Sequence, residues 1–352
     1  MAISIAGMLD FKVIYLKKRF PLRISRGIMS GSHNLFVSFT RNGITGWGEM
    51  APGDSEGAGT VEEGIAALQK YAIDDLQRLS ISEVYELGRQ HEIASCAMAA
   101  LDMAMWDQLG KEAKLPLYKL LGLPLPKVPT SVTIGINPPG VIQERVPLLL
   151  KGTQVKGLKI KLGSPDGIGA DQAMFSQVLE STKPFDVKLR VDANGGWSVE
   201  DARYMMKWLA DRAVEYVEQP LAEGQESELP YLFKDRPLPI FLDESCRYST
   251  DILKYAQYID GVNMKLMKCG GITEALRIIA TARALGLKTM IGCMGESSLS
   301  ISAGAAISGA IDYIDLDSHL NLDPDPCKGA EFINGIVTPT ENSGIGAMIT
   351  HK

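Results

Sequence analysis

Six short apolar runs in this 352-residue chain each close on charged residues, and the charges fall in one order. They are Lys159 and Lys161 around Ile160, then Asp192, Glu218, Asp243 and Lys265, and finally Asp315 and Asp317 around Leu316. In GLKIKLG, VKLRVDANGGW, VEYVEQP, PIFLDES and GVNMKLMKCGG the apolar stretch comes first, as in a buried parallel strand whose C-terminal end opens on a ligand site. The steps from Asp192 to Glu218, Asp243 and Lys265 are 26, 25 and 22 residues, room for one strand, one helix and two loops. Chemistry gathered at strand C-termini is the habit of barrels of alternating strands and helices.

From about Val128 to Asp317 eight strand candidates alternate with helical stretches: VPTSVTIG, LKIKLG, KLRVDANG, EYVEQP, PIFLDES, GVNMKL, KTMIGC and YIDLD. Ser198 with Asp201 signals a helix start and Gly286 a helix stop. The pattern predicts an α/β fold, a (β/α)7β barrel over residues 127–320. Residues 1–126 read differently, with strands in MLDFKVIYL, NLFVSFTRN and ITGWGEM followed by helices, so they form an α+β capping domain. Asn42-Gly43 predicts a hairpin, and Thr60 with Glu63 a capping box opening a helix through about Tyr71. The Ala- and Met-rich stretch from Ala94 to Leu121 reads as core helices, and LGLPLPKVPT as a linker. The tail, 321–352, is expected to fold back and complete the cap.

Composition excludes several classes. With 36 Lys and Arg against 42 Asp and Glu the net charge is −6, which argues against a phosphate-backbone binder, so no nucleic acid is expected. No apolar run reaches the roughly 18 residues needed to span a bilayer, so no membrane partner is expected. The N-terminus is broken by Asp10 and Lys12 and reads as a strand rather than a signal peptide. Five cysteines without C-x-x-C spacing suit a reducing cytoplasm. A homo-oligomer is left open.

Asp192, Glu218 and Asp243 end consecutive strands and would converge on one rim. Three adjacent carboxylates cannot all stay ionised without a cation, and an all-oxygen set favours Mg2+ over zinc. Lys161 and Lys265 lie on strands two and six of eight, opposite each other, where each could approach a different face of a substrate. Lys159 shares the inward face with Lys161, and a neighbouring ammonium lowers a lysine's pKa and frees it as a base. Asp315 and Asp317 likewise share one inward face, where they could hold an ammonium group. Cys293 and Met294, at the end of strand seven, and Thr133, on strand one, are expected to touch substrate by shape. GIGADQ at Gly167 lacks a dinucleotide fingerprint and reads as a loop.

The run KIK, VDANGGW, VEQP, DES and NMKLMKCGG resembles the enolase superfamily, within it the muconate-lactonizing subgroup with lysines on both sides of the site, over nearly the whole chain. The resemblance implies metal ligands at Asp192, Glu218 and Asp243 and acid/base lysines at Lys161 and Lys265, with Lys268 the weaker choice in NMKLMK. None of His33, His91, His319 and His351 stands at a matching strand end, which disfavours the histidine-based branch. The D-x-D of Asp315 and Asp317 is similar to that of the dipeptide epimerases, where it takes a dipeptide's free N-terminus. That family implies inversion of the α-carbon of the C-terminal residue of Ala-Xaa dipeptides of cell-wall origin. An o-succinylbenzoate synthase or cycloisomerase on the same scaffold is the enzyme alternative, and a silent peptide-binding barrel the alternative of another class.

Specificity is expected in cap loops near residues 23 to 32 and 51 to 59. Arg23 or Arg26 could attract a glutamate side chain, whereas Asp54 and Glu56 would repel one. The balance favours Ala-Ala or Ala with an apolar partner over Ala-Glu.

Overall fold

The structure, a computed structural model, describes residues 3–5, 8–71 and 74–350. Residues 1, 2, 6 and 7 of the N-terminal stretch, and His351, lie outside the described residues. Four antiparallel strands, β1 (Ile3–Ile5), β2 (Leu9–Ile24), β3 (Gly27–Arg41) and β4 (Ile44–Met50), form one sheet. Helices α1 (Val61–Tyr71), α2 (Ile81–Gln90), α3 (Ser95–Glu112) and α4 (Leu117–Leu120) follow it. Asn42 and Gly43 turn β3 into β4 with φ of 54° and 73°, the left-handed pair that a tight hairpin requires. Thr60 and Glu63 bond reciprocally at the start of α1, as their spacing predicts.

Strand β2 runs further than its alternating pattern suggested, because a bulge interrupts its ladder without ending it. Between Lys17 and Leu22 it advances five positions while β3 moves only two, from Gly31 to Met29. Pro21 sits in that bulge and has no N–H to give the ladder. The segment 23 to 32, expected as a loop, is therefore the tip of a long hairpin. The bulge docks on the chain after the barrel: Phe20 N donates to Asn321 Oδ1 at 3.0 Å, and Asn321 Nδ2 returns a bond to Phe20 O at 2.8 Å.

Eight parallel strands make the second sheet, in chain order: β5 (Val132–Ile134), β6 (Gly157–Lys161), β7 (Lys188–Asp192), β8 (Val214–Glu218), β9 (Ile240–Leu242), β10 (Gly261–Lys265), β11 (Lys288–Gly292) and β12 (Tyr313–Ile314). A parallel bridge from Thr130 to Ile314, with Ser131 N on Ile314 O at 3.0 Å, joins the last strand to the first. Between the strands run α5 (Pro139–Leu150), α6 (Ile168–Thr182), α7 (Val199–Ala210), α8 (Leu229–Phe233), α9 (Ser249–Tyr255), α10 (Leu266–Cys269), α11 (Ile272–Ala284) and α12 (Ser298–Ile307). Ser198 caps α7 by accepting from Asp201 N.

Cap and barrel share one core. Helix α3 buries most of its length against β4 and carries Asp102, fully buried, to the start of α11, where it accepts from Thr273 N at 3.1 Å. A carboxylate at a helix N-terminus takes up N–H groups that the helix leaves unpaired. The tail returns to the cap through Leu117 N on Gly344 O at 2.7 Å and Ile345 N on Asp107 Oδ1 at 2.9 Å.

Candidate active site

Successive inward residues on a strand are two apart, so the barrel interior is layered. Tyr216, Phe241, Met290 and Tyr313 pack together one layer beneath the rim. Two residues further along their strands come Glu218, Asp243, Gly292 and Asp315. The same step separates Lys159 from Lys161, Arg190 from Asp192 and Asn263 from Lys265. The rim layer is therefore built of charge, above a layer that joins three aromatic rings and Met290 to Lys159, Arg190 and Asn263. At Gly292 a Cβ would stand 3.2 Å from Lys265 Cε, so the missing side chain leaves that lysine its space.

Asp192, Glu218 and Asp243 are buried and each offers a carboxylate oxygen within 4.8 Å of the others. At that spacing two like charges repel by about 3 kcal/mol even at an effective dielectric of about 20, so the trio requires positive charge. Lys161 Nζ lies 2.5 Å from Asp192 Oδ2, and Lys265 Nζ 2.6 Å from Asp243 Oδ2. Lys159, from the deeper layer, reaches Glu218 Oε1 at 3.0 Å, Asp315 Oδ2 at 2.8 Å and Asp192 Oδ2 at 3.3 Å. Asn263 Nδ2 adds a bond to Glu218 Oε1 at 2.7 Å.

The protonation of the trio follows from these contacts. Burial alone would push Asp192 up, but Lys161 and Lys159 outweigh it and hold its carboxyl at about 2. Asp243 is likewise held well below its ordinary value, Lys265 and Lys268 overcoming burial. Glu218 goes the other way: burial and the Asp192 charge push it to about 8. Its Oε2 lies 2.8 Å from Lys159 Nζ, yet among the described residues the atom has no hydrogen-bond partner. Three oxygen donors, one of them orphaned and crowded by like charge, fit a hard divalent cation.

Burial and the Lys159 charge push Lys265 down, but Asp243 and Glu244 outweigh them, and Lys265 is raised above its ordinary value. Lys159 is raised as well, Asp315 and Glu218 outweighing burial. Lys268 is buried beneath the rim, bonded to Asp243 Oδ1 at 2.6 Å, Asn263 O at 2.8 Å and Cys246 O at 3.0 Å. It pins the third carboxylate from behind.

A cavity of about 790 Å3 opens at the barrel mouth, and Lys161, Lys265, Lys159, Thr133, Cys293, Met294, Asp315 and Asp317 all line it. These are the eight residues that the strand-end pattern assigns to catalysis or substrate contact. Asp315 and Asp317 are not equivalent. Asp315 is spent on Lys159 and on Ser131 Oγ at 2.5 Å, whereas among the described residues Asp317 accepts from Thr133 N, at 2.6 Å, and from Cys293 Sγ, at 3.9 Å. Burial and the Asp315 charge push Asp317 up to about 6.

Beyond the lysines the wall is apolar for the most part, with Phe20 and Leu22 from β2, Leu148 and Leu149 from α5, and Val155 and Phe332, joined by the polar side chains of Arg19, Arg145, Thr153, Gln154 and Asn321. The sequence reading missed these residues, although Pro21 inside an alternating run is the mark of the bulge that delivers Phe20. Neither arginine weighed for glutamate recognition lines this cavity. Arg26 pairs with Glu244 at 2.7 Å and Arg23 faces Asp166 at 3.6 Å. Among the described residues, no member of 51 to 59 lines the cavity either, and Glu56 is buried beside Arg247 at 3.8 Å. The balance of loop charges expected from sequence is thus replaced by an apolar wall upstream of the hairpin tip.

A capped barrel with a buried acidic trio at its strand ends and an ammonium on either side defines a class of metal-dependent enzymes. The chain belongs to it: residues 143–352 match the enolase C-terminal domain-like family, and residues 10–122 the mandelate racemase / muconate lactonizing enzyme N-terminal domain. It is 62% identical over 342 residues to a hydrophobic dipeptide epimerase of Flavobacteria bacterium (strain MS024-2A), covering 97% of this chain and 98% of that one. Identity is 61% to a hydrophobic dipeptide epimerase of Roseobacter litoralis, covering 97% and 99%. Its fold matches, with a TM-score of 0.86, the crystal structure of a dipeptide epimerase from Enterococcus faecalis V583 complexed with Mg and the dipeptide L-Leu-L-Tyr; that chain is 33% identical, with 97% and 98% covered.

Proposed function

We propose that this protein is a dipeptide epimerase that inverts the α-carbon of the C-terminal residue of dipeptides with apolar side chains. The observation that carries the reading is the pair Lys161 and Lys265, each anchored on a different carboxylate of one trio and both facing one cavity. Asp192, Glu218 and Asp243 hold Mg2+, as their oxygen donors and the magnesium-bound relative support. What the ion supplies is a fixed positive charge beside the substrate carboxylate, which makes the adjacent α-proton more acidic. One lysine takes that proton and the opposite lysine returns one to the other face, so the configuration inverts. Asp317, with Asp315 behind it, receives the dipeptide's ammonium group.

The apolar side chains of the wall, Phe20, Leu22, Leu148, Leu149, Val155 and Phe332, favour Ala-Ala and Ala with a larger apolar partner over Ala-Glu, since a carboxylate set among them loses its hydration, and Arg145 in the same wall is engaged on the Phe20 ring. The D-x-D pair disfavours the o-succinylbenzoate synthase and cycloisomerase alternatives, whose substrates bring no ammonium, and the paired lysines disfavour a silent binding barrel. In this reading residues 1–126, completed by 321–352, form the cap and 127–320 the catalytic barrel. Five unpaired cysteines suit a reducing cytoplasm, and the resemblance implies substrates of cell-wall origin. Among the described residues no helix is long and apolar enough to cross a membrane. The test is a dipeptide panel incubated with Mg2+ in deuterated water. Deuterium entering the C-terminal residue of Ala-Ala, Ala-Val or Ala-Leu supports the reading, and no exchange in any dipeptide rejects it.

A further inference from the structure

The strand ITGWGEM supplies a buried contact between the cap and the barrel mouth. Gly48 lies flat on α3, where a Cβ would come within 1.9 Å of Ala100 O. Because side chains alternate, Glu49 then points the other way, away from α3 and into the interface. Its carboxylate is fully buried and is met by donors from two elements. From the cap, Asn34 Nδ2 donates to Oε1 at 2.8 Å. From the barrel, Ser297 N donates to Oε1 at 2.9 Å, Ser297 Oγ to Oε2 at 2.6 Å and Ser300 N to Oε2 at 3.3 Å. Glu49 thus occupies the N-terminus of α12 from another domain, where a negative charge and free N–H groups complement each other.

The segment clamped in this way is not remote from the chemistry. Residues 293 to 297 connect β11 to α12, and Cys293 and Met294 at its start line the substrate cavity. Asn34 Nδ2 also donates to Gly295 O at 2.7 Å, so one side-chain amide ties the carboxylate and the loop backbone together. Ser32 Oγ steadies Asn34 by donating to its Oδ1 at 2.7 Å. On the barrel side Glu296 N donates to Ser318 Oγ at 2.8 Å, just past Asp317. The loop is therefore held between the cap and the strand end that carries the ammonium-binding pair.

We infer that Glu49 is a positioning residue for substrate binding, a cap carboxylate that sets the cavity wall at Cys293 and Met294 by capping α12 across the domain interface. Glu49 does not line the cavity and its bonds go to Asn34, Ser297 and Ser300 rather than to either lysine, so its loss alters the shape of the pocket and leaves the proton-transfer groups in place. The inference rests on the reading of this cavity as the dipeptide site, and one half of its test is independent of turnover.

That half is amide hydrogen exchange on substrate-free protein, comparing wild type with Glu49→Gln, whose amide puts N–H groups against the donors of Ser297 and Ser300. Exchange is expected to quicken at residues 294 to 300 and stay unchanged in α6 and α7. The other half is kinetic: KM for the preferred dipeptide rises about fivefold or more while kcat stays within about threefold. Ser297→Ala, which removes one hydroxyl and keeps the carboxylate, serves if Glu49→Gln does not fold; it shows the same pattern at smaller amplitude. Unchanged exchange at 294 to 300, an unchanged KM, or a uniform rise in exchange over the whole chain overturns the inference. Should wild type turn over no dipeptide, the functional reading falls by itself, and the exchange data still decide whether Glu49 clamps the wall.

Discussion

Lys159 Nζ stands 2.8 Å from Asp315 Oδ2, and this contact joins the two halves of the site. Through it the ammonium that bonds Glu218 also occupies half of the D-x-D pair. Asp317 is left as the carboxylate with charge to spare. Under the proposed function a substitution at Asp315 therefore disturbs the trio as well as substrate binding, whereas one at Asp317 leaves the contacts of the trio in place.

Asp317→Asn is expected to raise KM for free dipeptides while the protein's melting temperature changes little. A charge-assisted hydrogen bond contributes about 1.5–3 kcal/mol, or roughly 10- to 150-fold in affinity. Asp315→Asn is expected to lower stability too, because it leaves the buried Lys159 short of a partner. Steady-state kinetics with free and N-acetylated dipeptides checks this: the acetylated substrates should be poor for wild type, and equal turnover of both forms would remove the ammonium role.

The pH dependence of substrate binding follows from the same residue. Burial and Asp315 hold Asp317 at about 6. Protonation as pH falls through that value removes the negative charge that the substrate ammonium needs, so KM rises below about pH 6 in wild type. The acid limb should be absent from Asp317→Asn. A KM profile from pH 5 to 8 for both proteins tests it, and coincident limbs would assign the titration elsewhere.

Lys161→Ala and Lys265→Ala should each lower epimerization by roughly a thousandfold, the range of a lost general acid or base. Each has its own carboxylate, so each variant keeps a base on the other face. Exchange of the α-proton is then expected to persist for one stereoisomer in Lys161→Ala and for the opposite stereoisomer in Lys265→Ala. Proton NMR in deuterated water reads this directly. Loss of exchange for the same isomer in both variants would place the two lysines on one face.

Phe20→Ala should lower kcat/KM for dipeptides with large apolar side chains by roughly tenfold, about 1.4 kcal/mol, and change Ala-Ala much less. Phe20 lines the cavity and lies beneath Arg145, whose guanidinium carbon is 4.5 Å from the ring centroid. Arg23→Ala is expected to leave the ratio of Ala-Val to Ala-Glu turnover unchanged, because its partner is Asp166. A competition assay with mixed dipeptides separates these outcomes.

Much of the barrel was legible because buried parallel strands are apolar until they reach the rim, so each site residue is marked by the run that precedes it. Asp192, Glu218, Lys161 and Lys265 each end a strand where that rule places them, and Asp243 comes one residue after β9. Layering was only half legible: the two-residue step put Lys159 on the face of Lys161 but not its depth, which makes it a partner of Asp315. The capping box at Thr60 and the turn at Asn42-Gly43 are local devices and were readable as such. The apolar wall was not, because it combines a bulge in β2, the end of α5 and the returning tail, which meet only in the folded chain. Glu49 was hidden for the same reason, since its partners Ser297 and Ser300 lie about 250 residues away and nothing in a half-buried strand marks an acid that will cap a distant helix.

The most direct test of the account is to follow L-Ala-L-Leu with wild-type enzyme and Mg2+ in deuterated water by NMR. L-Ala-D-Leu is expected as product, with deuterium at the leucine α-carbon alone, and loss of the reaction on chelating the metal with recovery when Mg2+ is restored. Deuterium at the alanine α-carbon, or epimerization that persists after the metal is removed, would contradict it.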